Sequence, residues 1–166
     1  MILVILAAGG ESIVPTQLAA ARSTDINSTA VSLGNPFFVE KGRIIGQRVL
    51  SVNPLQVEFT VAANATINQN INATNTGTTV STIQPNGVFH AKGQGFLMTQ
   101  DGEVATYNSQ VVGNVTIDGR VLSVGVNFWN TPSTGELAFI NDMMNIFKFQ
   151  ADQSGNISAM GWEWKD

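Results

Sequence analysis

Residues Gly87–Phe128 read GVFHAKGQGFLMTQDGEVATYNSQVVGNVTIDGRVLSVGVNF. Two Asp-Gly pairs, Asp101-Gly102 and Asp118-Gly119, each lie between runs rich in β-branched, aromatic and aliphatic residues. Asp and Gly tolerate the positive φ angles of a type I′ turn, so such a pair between apolar runs is a strong signal for a β-hairpin. The stretch therefore predicts three antiparallel strands joined by two-residue turns.

Turns of this length would place Met98 opposite Ala105 and Val115 opposite Leu122. Side chains alternate between the two faces of a strand. One face would then collect the residues Phe96, Met98, Tyr107, Val111, Val115, Leu122, Val124, Val126 and Phe128. The other would collect the residues Thr106, Asn108, Gln110, Asn114, Ser123 and Asn127. One apolar and one polar face is typical of an antiparallel meander over a core.

The flanking sequence continues the pattern of short β-prone runs. Further strands are predicted within 40–52, 55–63, 66–73, 78–83, 143–151 and 157–165. Turns are predicted at 75–77 and 85–87, and Ser133 or Thr134 is expected to cap a short helical turn that buries Leu137, Ala138 and Ile140. The loop at 152–156 leaves open whether Phe147 and Phe149 share a face with Trp162 and Trp164.

The predicted fold class is therefore all-β, as a single antiparallel up-and-down β-barrel of about eight strands with one short helical turn. A barrel of this size is either filled by its own side chains or holds one small ligand.

Composition excludes several classes of function. The chain has 166 residues, a formal net charge of −4 and only 12% charged residues. It has no basic patch, so nucleic acid is not an expected partner. It has no cysteine and one histidine, His90, which excludes disulfides, thiolate metal sites and multi-histidine metal sites. We predict no metal and no cofactor.

The amino-terminal region resembles a secretory signal peptide. An apolar run at 2–8 precedes the small residues Ala19, Ala20 and Ala21. No basic residue precedes the run, and Glu11 interrupts it, so a buried strand or helix is the alternative. We predict a signal peptide at 1–21, a polar linker at 22–39, a barrel domain at 40–166, and a secreted or extracytoplasmic location.

The carboxy-terminal two thirds, roughly 42–165, resemble the allene oxide cyclase-like (calycin-like) β-barrel group, nearest to its uncharacterised prokaryotic members. The resemblance is carried by Gly93, Gly95, Asp101, Gly102, Glu103, Tyr107, Gly113, Asp152, Gly155, Asn156 and the segment 162–165. It implies a calycin-like barrel and self-association as a trimer or dimer, since the cyclases form trimers. It carries over no catalytic residue.

Candidate site residues come from the predicted apolar face. We predict that a small apolar ligand contacts the side chains of Tyr107, His90, Phe96, Met98, Val126 and Phe128. Glu103 is expected at a barrel mouth, where a desolvated carboxylate can act as a general acid or base. Ser109 is expected on the inner face, without a nucleophile elbow around it. Trp162 is expected to pack in the core, to clamp a ligand or to cover a subunit interface.

Three functions fit the sequence. The first is an exported barrel that binds a small apolar ligand. The second is a cofactor-independent cyclase or isomerase-like enzyme acting on a lipid-derived substrate. The third is a non-catalytic extracellular structural or self-assembling protein with a fully packed core.

Overall fold

The structure, a computed structural model, describes residues 33–164. The predicted signal peptide and most of the predicted linker lie outside the described residues. The first strand begins at Phe38, just before the predicted start of the barrel domain at residue 40. Within 33–164, no helix is long and apolar enough to cross a membrane.

Eight antiparallel strands form a closed barrel in sequence order, which confirms the predicted fold class. The strands are β1 Phe38–Val52, β2 Leu55–Ile67, β3 Ile71–Ile83, β4 Val88–Thr99, β5 Val104–Val115, β6 Val121–Asn130, β7 Met144–Ala151 and β8 Asn156–Glu163. Pairing of β1 with β8 closes the barrel and leaves no edge strand in the described part of the chain. We call the end that holds the β3–β4, β5–β6 and β7–β8 turns the upper end, and the opposite end the lower end.

The two Asp-Gly turns differ from the prediction. Thr99 pairs with Glu103 and Thr116 with Arg120, so each hairpin closes on a three-residue loop. Gly102 and Gly119 alone adopt positive φ in these loops, at 84° and 75°. This geometry is that of a type I turn followed by a left-handed glycine, which Asp-Gly also serves. The predicted two-residue turns were therefore wrong.

The extra loop residue shifts both registers by one. Met98 pairs with Val104, and Val115 pairs with Val121. A one-residue shift moves every side chain of a strand to the opposite face. The inward face of β5 was predicted correctly, whereas those of β4 and β6 were reversed.

The reversal is clearest on β6. Val124 was expected in the core and is 47% exposed, whereas Asn127 was expected in solvent and is 8% exposed. The sequence rule that places apolar residues inside fails here, because both faces of β6 carry apolar residues. Its inner face combines the apolar Val121 and Trp129 with Ser123, Gly125 and Asn127. Leu122, Val124 and Phe128 lie outside.

The last hairpin resolves the register that the sequence left open. Phe147 pairs with Gly161 and Phe149 with Ala159, while Trp162 pairs with Ile146. Phe147 and Phe149 therefore face inward, and Trp162 faces outward. The indole of Trp162 donates a hydrogen bond of 3.1 Å to the Gly34 carbonyl.

The lower end is packed shut. Leu137 and Ile140, in the β6–β7 connection, are fully buried beside Phe38, Ile67 and Leu97. The connection contains a short 3-10 turn, Ala138–Ile140. This confirms the predicted helical turn and two of its inward residues.

The cap of that turn comes from elsewhere in the chain. Its N-cap residue is Leu137, which makes no side-chain capping bond, and the Ser133 hydroxyl accepts only from the Gly135 N–H ahead of the turn. Instead, Glu103 accepts hydrogen bonds from the backbone N–H of Glu136 at 2.9 Å and of Leu137 at 2.8 Å. The Ser133 hydroxyl also donates to Glu103. The β4–β5 turn thus holds the β6–β7 connection, and the predicted Ser133 or Thr134 cap was wrong.

Candidate functional site

A cavity of about 130 Å³ lies inside the barrel above the packed lower end. An apolar cavity of about this size is large enough to hold a molecule such as benzene. Most of its wall is apolar, contributed by Phe38, Ile44, Phe59, Val61, Ile83, Phe89, Val111, Val115, Val121, Trp129, Phe147, Phe149, Ala151 and Ala159. The polar part of the wall is contributed by Glu40, Asn75, Thr79, Ser81, Tyr107, Ser109, Ser123 and Asn127.

A chain of hydrogen bonds links three of the polar residues. The hydroxyl of Tyr107 donates to Oδ1 of Asn75 at 3.1 Å. Nδ2 of Asn75 donates to Oε2 of Glu40 at 2.6 Å. Glu40 and Asn75 are buried. Strand β1 supplies the carboxyl, β3 the amide and β5 the phenol, and no two of these strands are neighbours, so the hydrogen bonds pass over β2 and β4.

Burial dominates the electrostatics of this chain. Desolvation raises the pKa of Glu40, and the hydrogen bond from Asn75 only partly opposes it. Desolvation also raises the pKa of Tyr107, and the nearby Glu40 carboxylate raises it further. Both shifts favour the neutral acid, which retains a proton to donate. Glu40 can therefore take or give a proton closer to neutrality than a solvated glutamate.

Two glycines make room for the Tyr107 side chain. A Cβ atom at Gly95 would lie 2.4 Å from the Tyr107 hydroxyl, and one at Gly77 would meet the same oxygen. Gly77 had been predicted as part of a turn at 75–77. That prediction was wrong, because β3 runs unbroken from Ile71 to Ile83. The glycine is required there by the tyrosine, not by a turn.

A second polar group forms a row around the wall. Thr79 pairs with Gly93, Gly93 with Ser109, and Ser109 with Asn127. A Cβ atom at Gly93 would lie 2.4 Å from Oγ of Ser109 and 2.8 Å from Oγ1 of Thr79. The glycine thus leaves space between the two hydroxyls.

The buried members of this row lack protein partners. Ser109 is 7% exposed and Asn127 is 8% exposed, yet neither side chain has a hydrogen bond to any residue in 33–164. In that same range, no fully enclosed side-chain nitrogen or oxygen is without a partner. The polar atoms of Ser109 and Asn127 therefore open into the cavity, where a ligand or water can bond to them.

Trp129, by contrast, has its polar atom engaged. Its indole N–H donates to Oδ1 of Asn145 at 2.6 Å, and Nδ2 of Asn145 donates to the Ile146 carbonyl at 3.0 Å. Its ring lies 4.9 Å from that of Tyr107. Trp129 therefore offers the cavity an apolar surface next to the phenol.

Of the predicted ligand-contacting residues, Tyr107 lines the cavity. His90, Phe96, Met98 and Phe128 are exposed on the outer surface. Val126 lies between the inward-facing Gly125 and Asn127, so it also points outward. Their placement inside the barrel was wrong, because the registers of β4 and β6 shift by one residue.

Ser109 and Glu103 were also predicted as candidate site residues. Ser109 faces inward, as predicted. Glu103 lies at the lower end, where the Ser133 hydroxyl and then the Leu137 N–H lower its pKa. Glu103 therefore holds the connection as a carboxylate and does not reach the cavity.

Sequence reasoning missed Glu40, Asn75 and Asn127 as cavity residues. Glu40 lies two residues after the buried Phe38, and Asn75 two residues after the buried Ala73. A polar residue in phase with the apolar face of a strand was the available signal.

No group of three or more potential metal-binding side chains occurs within the described part of the chain. Glu40, whose carboxyl is the one that lines the cavity among residues 33–164, is paired with an amide rather than with a second acid.

The fold and the site together define a closed eight-stranded antiparallel barrel with an internal cavity of mixed polarity. Two solved structures share this fold. A conserved protein of unknown function from Rhodopseudomonas palustris matches with a TM-score of 0.63 at 10% identity, over 78% of this chain and 94% of that one. A protein of unknown function from Clostridium acetobutylicum matches with a TM-score of 0.65 at 9% identity, over 78% and 94%. At these identities the likeness shows the fold alone.

The sequence matches no protein-family model. A search of curated proteins likewise gave no match.

Proposed function

We propose that this protein binds a small, mostly apolar molecule inside its barrel. The observation that carries the proposal is the cavity of about 130 Å³, in which buried polar side chains without protein partners interrupt an apolar wall. Pockets for small molecules combine apolar walls with a few oriented polar groups. A core filled by its own side chains would have neither the space nor the unpaired polar atoms, so the packed-core alternative is less well supported.

The test is a matched pair of variants on one strand. Val111→Phe places a larger side chain in the cavity, whereas Val112→Phe places the same ring on the exposed outer face. A panel of compact terpenoid-like, aromatic and short fatty-acid-like molecules is screened by thermal shift and titration calorimetry. We expect hits in the micromolar range that Val111→Phe abolishes and Val112→Phe preserves. Absence of any hit, or hits equally retained in Val111→Phe, would contradict the proposal.

A second function, a cofactor-independent cyclase or isomerase-like activity on a lipid-derived substrate, is favoured by Glu40. A buried carboxyl with a raised pKa at the wall of a cavity is suited to move a proton on a bound molecule. The allene oxide cyclase-like resemblance supports the same proposal.

Deuterium exchange tests this activity without knowledge of the substrate. The protein is incubated in D₂O with 2-heptanone, and exchange of the C–H groups next to the carbonyl is followed by NMR. Catalysed exchange that disappears in Glu40→Gln would support an enzyme. Binding of the ketone without catalysed exchange would favour the binding protein.

Export and self-association are further proposals. The signal-like sequence supports a secreted or extracytoplasmic protein whose mature chain begins at Arg22, which the intact mass from the native host would check.

The resemblance suggests a trimer or dimer, and the exposed apolar residues Leu122, Val124 and Phe128 support it. Light scattering after size exclusion tests this, since Phe128→Glu should then yield monomers, whereas Asn64→Glu, on the exposed face of β2 four strands away, should not.

A further inference from the structure

We infer that the cavity selects a compact, electrically neutral molecule that carries a hydrogen-bonding group, and that it rejects carboxylates. This inference rests on the proposed binding function and specifies the class of ligand. It follows from which charges and which unpaired polar atoms line the cavity.

The charged side chains on the cavity wall disfavour an anionic ligand. Among the described residues that line the cavity, Glu40 is the one side chain of Asp, Glu, Lys, Arg or His type. No Lys or Arg of residues 33–164 lines the cavity to pair with an anion. A buried carboxylate without a partner is costly, and a carboxylate ligand would also face the Glu40 carboxyl. A ligand with a negative head group therefore meets no compensating charge.

Two unpaired polar side chains on the cavity wall favour a ligand with a hydrogen-bonding group. The Asn127 amide supplies both donors and an acceptor, and the Ser109 hydroxyl supplies one donor and acceptor sites. Both side chains are more than nine-tenths buried and have no hydrogen-bond partner within residues 33–164. Because Ser109 and Asn127 are paired across β5 and β6, they form one adjacent group on the wall. An alcohol, aldehyde or ketone can satisfy such a group without bringing a charge.

The surrounding wall explains the preference for a compact molecule. Val111 and Phe147 line the cavity with Trp129, and together they enclose apolar volume close to the paired polar residues. The cavity volume of about 130 Å³ fits one ring or a short branched chain. A long acyl chain would exceed it.

Four ligands with one ring and different substituents test the inference: toluene, benzyl alcohol, benzoate and benzylammonium, titrated at neutral pH by calorimetry. We expect benzyl alcohol to bind tightest and benzoate to bind at least about tenfold more weakly, which corresponds to about 1.4 kcal/mol. Asn127→Leu should weaken benzyl alcohol about tenfold and leave toluene unchanged or tighter. Asn108→Leu, on the outer face of β5, is the matched control and should change nothing.

A failure of the proposed binding function and a failure of the neutral-ligand inference give different results. If none of the four ligands binds, the proposed binding function fails and the inference fails with it. If ligands bind but benzoate or benzylammonium equals or exceeds benzyl alcohol, the binding function stands and the inference of a neutral ligand is overturned. The same holds if Asn127→Leu weakens toluene as much as benzyl alcohol, because the residue would then act through the fold.

Discussion

Nδ2 of Asn75 donates a hydrogen bond of 2.6 Å to Oε2 of Glu40 inside the barrel. Strands β1 and β3, which supply these residues, are separated by β2, so the bond passes over the inner face of β2. The same Asn75 accepts the Tyr107 hydroxyl. Each of the three side chains thus holds the next in place on the cavity wall.

Glu40 makes stability depend on pH in a defined direction. Its pKa in the folded protein is raised above the ordinary value of 4.5. Such a group favours folding most below its unfolded pKa, and the advantage is lost as pH rises through the folded pKa. Gln does not titrate, so Glu40→Gln should not show this loss. As pH rises, the unfolding free energy of the wild type should therefore fall relative to that of Glu40→Gln. Urea unfolding from about pH 4 to pH 8 measures it; parallel pH profiles of the two proteins would contradict the prediction.

Gly95 is expected to be intolerant of a side chain. In Gly95→Ala the new Cβ would lie 2.4 Å from the Tyr107 hydroxyl and 2.6 Å from the Thr76 carbonyl oxygen. Overpacking of this kind costs about 1–3 kcal/mol. Gly46→Ala is the matched control, because its Cβ would meet Thr60 at an ordinary 3.5 Å. Thermal unfolding of both variants measures the difference, and adding Tyr107→Phe to Gly95→Ala should restore part of the lost stability. Equal stability of Gly95→Ala and Gly46→Ala would refute the prediction.

The observed register of β6 makes a prediction opposite to that from apolar patterning. Val124→Asp should change the free energy of unfolding by only about 1 kcal/mol, because Val124 lies on the outer surface. Asn127→Asp should destabilise by on the order of 2 kcal/mol or more, because it places an unpaired charge in the cavity wall. Chemical denaturation of the pair, at a concentration where the protein is monomeric, decides between the two registers, and a larger loss in Val124→Asp would show that the residue is inside.

Glu103 is expected to hold the lower end through its carboxylate. Its lowered pKa means that this stabilisation is present above the ordinary value and is lost as pH falls through the folded pKa. Glu103→Gln removes one accepting oxygen, so the backbone N–H groups of Glu136 and Leu137 should exchange faster with solvent. Hydrogen exchange by NMR measures this, with Asp101→Asn on the same turn as the control. Unchanged exchange in Glu103→Gln would mean that the connection is held by its buried Leu137 and Ile140 alone.

The sequence predicted the barrel because alternation and turn signals are local properties. Asp101-Gly102 and Asp118-Gly119 do close hairpins, although each loop is one residue longer than expected. That single residue decides which face is inside, and Asp-Gly is compatible with both turn lengths. Patterning then favoured the wrong face of β6, since its outer face carries Leu122, Val124 and Phe128, whereas its inner face includes the polar Ser123 and Asn127.

The site was less predictable because it depends on side chains from distant strands. Tyr107 was predicted, with His90, as a polar ligand contact on the inner face, and Tyr107 does line the cavity. Tyr107 lies 32 residues from its hydrogen-bond partner Asn75, and Asn75 lies 35 residues from Glu40, to which it donates. No local pattern connects residues so far apart. The need for glycine at positions 77 and 95 is seen only in the structure, where the Tyr107 side chain lies against both.

The most direct measurement of the central claim locates the ligand itself. Benzyl alcohol is added to labelled protein, and nuclear Overhauser contacts between the ligand and the protein are recorded. The account predicts contacts to Val111, Phe147 and the side-chain amide of Asn127, all on the cavity wall. It predicts none to Val112, Val124 or Phe128, which lie on the outer surface. Contacts confined to those outer residues, or no contacts at all, would contradict the claim that this barrel holds a ligand inside.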